Sequence, residues 1–132
     1  MKKQRITSID APEPADKLWS NCLRAGNNVY IAGLTALEPD RVNVVGDTEY
    51  EQTITIFKKM KALIEASGAA MDDIVALTIY VTDIKNNEGV WKARQEFFTG
   101  DFPTCALVEV SALAKPNLLV EIQGTAIAGC SA

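Results

Sequence analysis

The chain contains no histidine. The side chain that most often ligates transition metals and titrates near neutral pH is therefore missing. Its three cysteines, Cys22, Cys105 and Cys130, are odd in number and widely separated, which matches neither a disulfide framework nor a zinc motif. No metal site is expected. No segment approaches the roughly 20 apolar residues that cross a bilayer, so no membrane partner is expected. The basic opening Met1-Lys2-Lys3-Gln4-Arg5 runs into Thr7, Ser8, Asp10 and Glu13, where a secretory signal would need an unbroken apolar stretch. A cytoplasmic protein is expected. No glycine-rich loop links a strand to a helix, which removes the P-loop and the dinucleotide fingerprint. Positive charge is not in excess either: the formal net charge is −4, which disfavours nucleic acid as a partner. The one basic cluster, Lys58, Lys59 and Lys61, reads as a solvated helix face.

What is present is an ordinary globular composition, 132 residues with 48% hydrophobic and 23% charged. That length suits a single domain, residues 1–132, which buries about two-thirds of its unfolded surface. The stretch up to Lys17, with Pro12 and Pro14, reads as an edge strand or extended arm followed by a loop. Leu18 to Ala25 and Val29 to Gly33 read as two strands of a hairpin turning at Gly26-Asn27-Asn28. Thr48-Glu49-Tyr50-Glu51 is a capping-box pattern. The helix it opens carries Ile56, Phe57, Met60, Leu63 and Ile64 on one face and stops at Gly68. Val75, Leu77, Ile79 and Val81 alternate with Ala76, Thr78 and Tyr80, a strand with one buried face. A second helix is expected from about Glu88 to Phe98, capped by Asn86 or Asn87. Cys105 to Ser111 and Leu118 to Ile127 complete the sheet. The order of elements favours an α+β mixed sheet with both helices on one face. The other, half-apolar face then needs a partner, and an obligate oligomer is expected.

Cys105 opens an apolar strand directly after a proline turn, in Phe102-Pro103-Thr104-Cys105-Ala106-Leu107-Val108-Glu109-Val110. Glu121 lies inside Leu118-Leu119-Val120-Glu121-Ile122, where an ionised carboxylate is costly without a partner or a cavity. If the last two strands form an antiparallel hairpin about Ala114, Cys105 faces Gln123, and Glu121 is one pleat away on the same face. The bland alternative makes Cys105 a small packing hydrophobe and has Glu109 and Glu121 hold backbone amides or subunits. Trp19 and Trp91 are candidates for a pocket lining, or simply core.

The segments Phe102 to Val110, Gly68-Ala69-Ala70-Met71-Asp72-Asp73-Ile74-Val75, Leu77 to Asp83, and Val120-Glu121-Ile122-Gln123-Gly124-Thr125-Ala126 together resemble the RidA/YjgF family, also known as the endoribonuclease L-PSP family. The resemblance covers about Leu18 to Ala128. It implies a chorismate-mutase-like homotrimer with small-molecule pockets at the subunit interfaces. It also implies hydrolysis of reactive enamines and imines to keto acids and ammonia, without a cofactor. On the same resemblance Glu121 orients the attacking water and Gly33 forms the pocket floor. Leu34 stands where glutamine is frequent, Trp19 near an aromatic contributed by a neighbouring subunit, and Trp91 near a frequent asparagine. Leu107 joins the substrate-binding set. Cys105 replaces an arginine that grips a substrate carboxylate, and a thiol cannot substitute for that permanently charged fork. Three readings stay open: a different substrate, a clamp supplied by another cation, or a ligand-binding or regulatory trimer without turnover. The acidic balance and the lack of histidine count against a ribonuclease.

Overall fold

The computed structural model of the chain describes residues Met1–Ala132. Three strands come first: β1 (Lys3–Ile6), β2 (Cys22–Ala25) and β3 (Asn28–Leu34). Helix α1 (Glu49–Ala66) and strand β4 (Ile74–Val81) follow, then helix α2 (Asn87–Phe97), β5 (Thr104–Glu109) and β6 (Val120–Ile127). The six strands form one mixed sheet in the order β1-β2-β3-β6-β4-β5. No helix is long and apolar enough to cross a membrane.

Helix α1 starts where the sequence places it. Thr48 is the N-cap, and its hydroxyl accepts from the Glu51 backbone N–H at 3.2 Å. The variation on the capping box is that Thr48 Oγ1 also donates to the Glu51 carboxylate, at 3.1 Å. At the other end Gly68 takes φ +90°, and the Ala69 N–H reaches back to the Ile64 carbonyl, the left-handed stop that glycine makes without strain. Ile56, Phe57, Met60, Leu63 and Ile64 are all fully buried. Each such side chain contributes roughly 1.5–3 kcal/mol relative to exposure, so burial rather than propensity holds the helix. Phe57 also stands edge-on to Phe98 and tilted on Phe97, with ring centroids 5.5 and 5.4 Å apart, which ties α1 to the end of α2. Both helices pack on one side of the sheet against Leu77, Ile79, Val81, Val120 and Ile122, in one core of 22 buried residues. The other side of the sheet exposes Tyr30, Val108 and Ile127.

Three expectations need correction. The strand expected from Leu18 starts only at Cys22. Trp19 lies in an irregular loop held by side chains: its carbonyl accepts from Arg5, its indole N–H donates to Asn21, and Asn21 donates to the carbonyl of Pro12. Val75 is not on the buried face, since the ladder with β6 shifts register between Ile74 and Ala76, and one extra residue reverses the side-chain parity.

The third correction matters most. The last two strands are not a hairpin: β5 pairs only with β4, in parallel, and sits at the sheet edge, whereas β6 is inserted between β3 and β4 and antiparallel to both. Exposure explains the choice. Thr104, Ala106, Val108 and Glu109 of β5 are exposed, which suits an edge, whereas Val120, Ile122, Gly124 and Ala126 of β6 are buried, which suits a central strand. Helix α2 is the crossover that a parallel pair requires.

Candidate functional site

Strand pairing sorts the candidate residues into two groups. Cys105 is paired with Leu77 and Leu107 with Ile79, so both point to the helix side of the sheet, where they pack against the core beside Trp91. Glu121 is paired with Tyr80, whose neighbours Ile79 and Val81 face the helices; its carboxylate is therefore on the opposite side. The expected convergence of Cys105 and Glu121 within one chain does not occur: strand β4 lies between them, and they face opposite ways.

Glu121 lies against Gly33, whereas Leu34 is buried in the core on the helix side. Strand β3 carries a register shift between Ile31 and Leu34, where Leu34 pairs with Ile122, and this places the backbone of Gly33 under the Glu121 side chain. A methyl group at position 33 would collide with that carboxylate, its Cδ only 2.9 Å away. Glu121 is half-buried and burial raises its pKa above the ordinary carboxyl range; the chain's one ion pair, Arg5 with Glu13, is elsewhere. Gly33, Leu34 and Trp19 line a cleft of about 400 Å³ between the N-terminal loop, the end of β3 and the loop carrying Lys115. Trp19 is 54% exposed on its rim. Lys59 borders the cleft but is committed: its ammonium donates to the carbonyls of Thr35 and Leu37 at 2.8 and 2.6 Å. Burial lowers its pKa.

The second group is built on β5 and α2. Cys105 is half-buried; burial raises the pKa of its thiol and the nearby Arg94 pulls it down, with burial prevailing. Arg94, one turn beyond Trp91 on α2, holds its guanidinium over the Trp91 ring at 5.1 Å and the Phe102 ring at 5.7 Å. A neutral thiol beside a guanidinium is a polar wall with cationic character, not a poised nucleophile. In the sequence Arg94 reads only as part of the helix face; its stacking and its closeness to Cys105 depend on the parallel placement of β5.

Glu109 follows the bland reading, accepting from the Ile84 backbone N–H at 3.1 Å. A further hollow of about 500 Å³ around Asp72, Thr99 and Ser131 holds none of the expected site residues. The Asp72 carboxylate is occupied with loop closure, accepting from Thr99 N–H and hydroxyl at 2.9 and 2.5 Å. No group of three or more Cys, Asp or Glu side chains is placed to hold a metal ion.

Residues 8–128 match the family model described as Endoribonuclease L-PSP. The chain belongs to that family, the RidA/YjgF family of the sequence resemblance. It is 31% identical to a 2-iminobutanoate/2-iminopropanoate deaminase of Dermatophagoides farinae, over 96% of this chain and 98% of that protein. Among solved structures, a protein of unknown function from Pseudomonas aeruginosa superimposes with a TM-score of 0.86 at 36% identity, covering 97% of this chain and 94% of that one. A member of the Rid protein family from Yersinia pestis, also of unknown function, gives 0.86 at 32% identity, covering 96% and 99%.

Proposed function

We propose that the protein is a reactive-intermediate deaminase that hydrolyses a small imine or enamine in a pocket formed where protomers of a homotrimer meet. The observation that carries this reading is the placement of Glu121 on one face of the sheet and of Cys105 and Leu107 on the other. Neither half is a complete site, and a second copy that applies its β5 and α2 to the Glu121 side of the first would join them. The half-apolar open face, with Tyr30, Val108 and Ile127 exposed, supports such an assembly. The similarity to a protein named as an iminobutanoate deaminase supports the chemistry.

In the proposed reaction, water adds to the imine carbon as Glu121 takes a water proton. Glu121 returns that proton to the imine nitrogen, giving the neutral carbinolamine, then takes the carbinolamine hydroxyl proton and delivers it to the amino group, which leaves as ammonia as the C–N bond breaks and the C=O bond forms. The sum is imine plus water giving carbonyl compound plus ammonia, with no redox change and no cofactor. A half-buried carboxyl with a raised pKa is suited to both transfers. Gly33 leaves room for the carboxylate, Leu34 and Trp19 line the cleft, and Cys105, Leu107 and Trp91 wall the other side.

The test is ammonia release from short 2-imino acids generated in situ, with wild type and Glu121→Gln, alongside sedimentation. A stable monomer at micromolar concentration would remove the interface pocket. A trimer that binds such compounds but releases no ammonia would instead be a ligand-binding protein of the same fold, the reading that the thiol at position 105 favours.

A further inference from the structure

We propose that Arg94 is the carboxylate-recognising residue of this pocket, its guanidinium brought by α2 to the mouth of β5 beside Cys105. The proposal rests on the interface-pocket reading above and names the group within it that selects the substrate.

Elimination among the arginines, the side chains with a planar fork, is the first support. The chain has four arginines, Arg5, Arg24, Arg41 and Arg94. Arg5 is paired with Glu13, its Nε 2.7 Å from the carboxylate. Arg24 donates to the carbonyls of Gly26 and Ser67 at 2.9 and 2.5 Å, closing the end of α1. Arg41 donates to the Glu13 carbonyl at 2.5 Å. Lys59 is held by two carbonyls. Arg94 alone among the arginines has no short bond: its one contact is Nη2 to the Pro103 carbonyl at 3.5 Å, at the limit of a hydrogen bond. Most of its five N–H donors are free.

The second support is orientation. Trp91 and Phe102 both lie against the guanidinium. Contact with ring faces fixes its plane and leaves its N–H edges unpaired. A planar cation with free, preset N–H edges suits the two oxygens of a carboxylate in a bidentate contact. Lysine, a rotating point charge, would not present that fork. The neighbour is the third support: the thiol of Cys105, neutral because burial raises its pKa, brings no competing negative charge to the guanidinium. A small substrate with one carboxylate and one electrophilic carbon would then be held at its acid end by Arg94 of one protomer. Its reacting carbon would be presented to Glu121 of the next.

The test is calorimetric binding of a stable planar acid, 2-oxobutanoate, against its neutral amide, 2-oxobutanamide. Wild type is expected to prefer the acid by about 10- to 100-fold, the range for a charge-assisted pair. Arg94→Gln should abolish that preference while amide binding stays within about twofold. Arg94→Lys, which keeps charge and stem but loses the fork, should fall between them and serves as the readout should the glutamine variant fail to assemble. A wild type without acid preference, or a glutamine or lysine variant with the full preference, overturns the clamp. Ammonia release in the same preparations separates this from the function above. Turnover without acid preference sinks the clamp and leaves the hydrolase, whereas an Arg94-dependent preference without turnover sinks the hydrolase and leaves the clamp.

Discussion

The carboxylate of Glu121 rests on the backbone of Gly33, and the contact leaves no space for even a methyl group between them. Gly33 is not among the residues with positive φ, so alanine is conformationally permitted there and the obstruction is local. Gly33→Ala is expected to displace the carboxylate and lower ammonia release by about 10- to 100-fold, as misplacement of a reacting group by an ångström does. The melting temperature should move by no more than a few degrees. Unchanged kcat in a folded variant would show that Glu121 does not work from its observed position.

Burial raises the pKa of Glu121, and the direction fixes two pH effects. A carboxylate that must accept a proton is lost as pH falls through that raised value, so the acid limb of kcat should lie above the range of a free carboxyl. Glu121→Gln should remove the limb and lower kcat by about 10²- to 10⁴-fold. For stability the sign is opposite. The folded carboxyl holds its proton more tightly than the unfolded one, so its stabilising contribution is complete below the unfolded pKa and is lost as pH rises through the folded value. Denaturant titrations at a series of pH values should show a flatter profile for Glu121→Gln; parallel profiles would contradict the assignment.

The thiols should react in the order Cys130, Cys105, Cys22. Cys130 is exposed and Cys105 half-buried. Cys22 is fully buried, with its pKa pushed up to about 11 by burial and by Glu13. Arg94 lowers the pKa of Cys105 against the larger effect of burial, so Arg94→Gln should slow Cys105 alkylation further. Peptide-resolved iodoacetamide labelling measures this. Fastest labelling at Cys105, together with loss of turnover in Cys105→Ser, would restore a nucleophilic role.

Gln52 is fully buried in α1 and holds three backbone groups: its amide donates to the carbonyls of Gly46 and Asn117 at 3.1 and 2.9 Å, and its oxygen accepts from Leu119 N–H at 2.8 Å. Gln52→Leu leaves those groups unpaired, and a loss of about 2–4 kcal/mol is expected. Urea unfolding checks it; a loss below about 1 kcal/mol would mean that water reaches them.

Much of the architecture is legible in local pattern. Thr48, the apolar spacing from Ile56 to Ile64 and Gly68 are enough to bound α1, and the alternation of Leu77, Ile79 and Val81 identifies the buried face of β4. Pairing is harder, because a short connection from β5 to β6 permits a hairpin and says nothing against one. The discriminating signal lies in side-chain size: Gly124 sits under Leu77 and Met60, where an added methyl would be 3.2 and 3.6 Å from them, as a central strand beneath a helix requires. Glu121 with Gly33 follows from the resemblance, but the separation of Glu121 from Cys105 needs the topology. Asp73 shows the same limit. In sequence it belongs to a turn, yet its buried carboxylate accepts from Ala70, Gly129 and Ser131 N–H groups and from the Ser131 hydroxyl. Burial alone would raise its pKa, and these bonds bring it far below the ordinary range instead.

The central position of β6 also governs how the chain is made. Of the six strands, β6 is synthesised last, and it is the one that joins β3 to β4. Until it arrives, β1–β3 and the β4-α2-β5 unit each present an open inner edge, and no continuous sheet exists. The sheet is therefore completed only after synthesis has passed β6, through pairings distant in sequence that close slowly. A nascent chain halted before Val120 would carry two unsatisfied sheet edges, a substrate for chaperones and proteases.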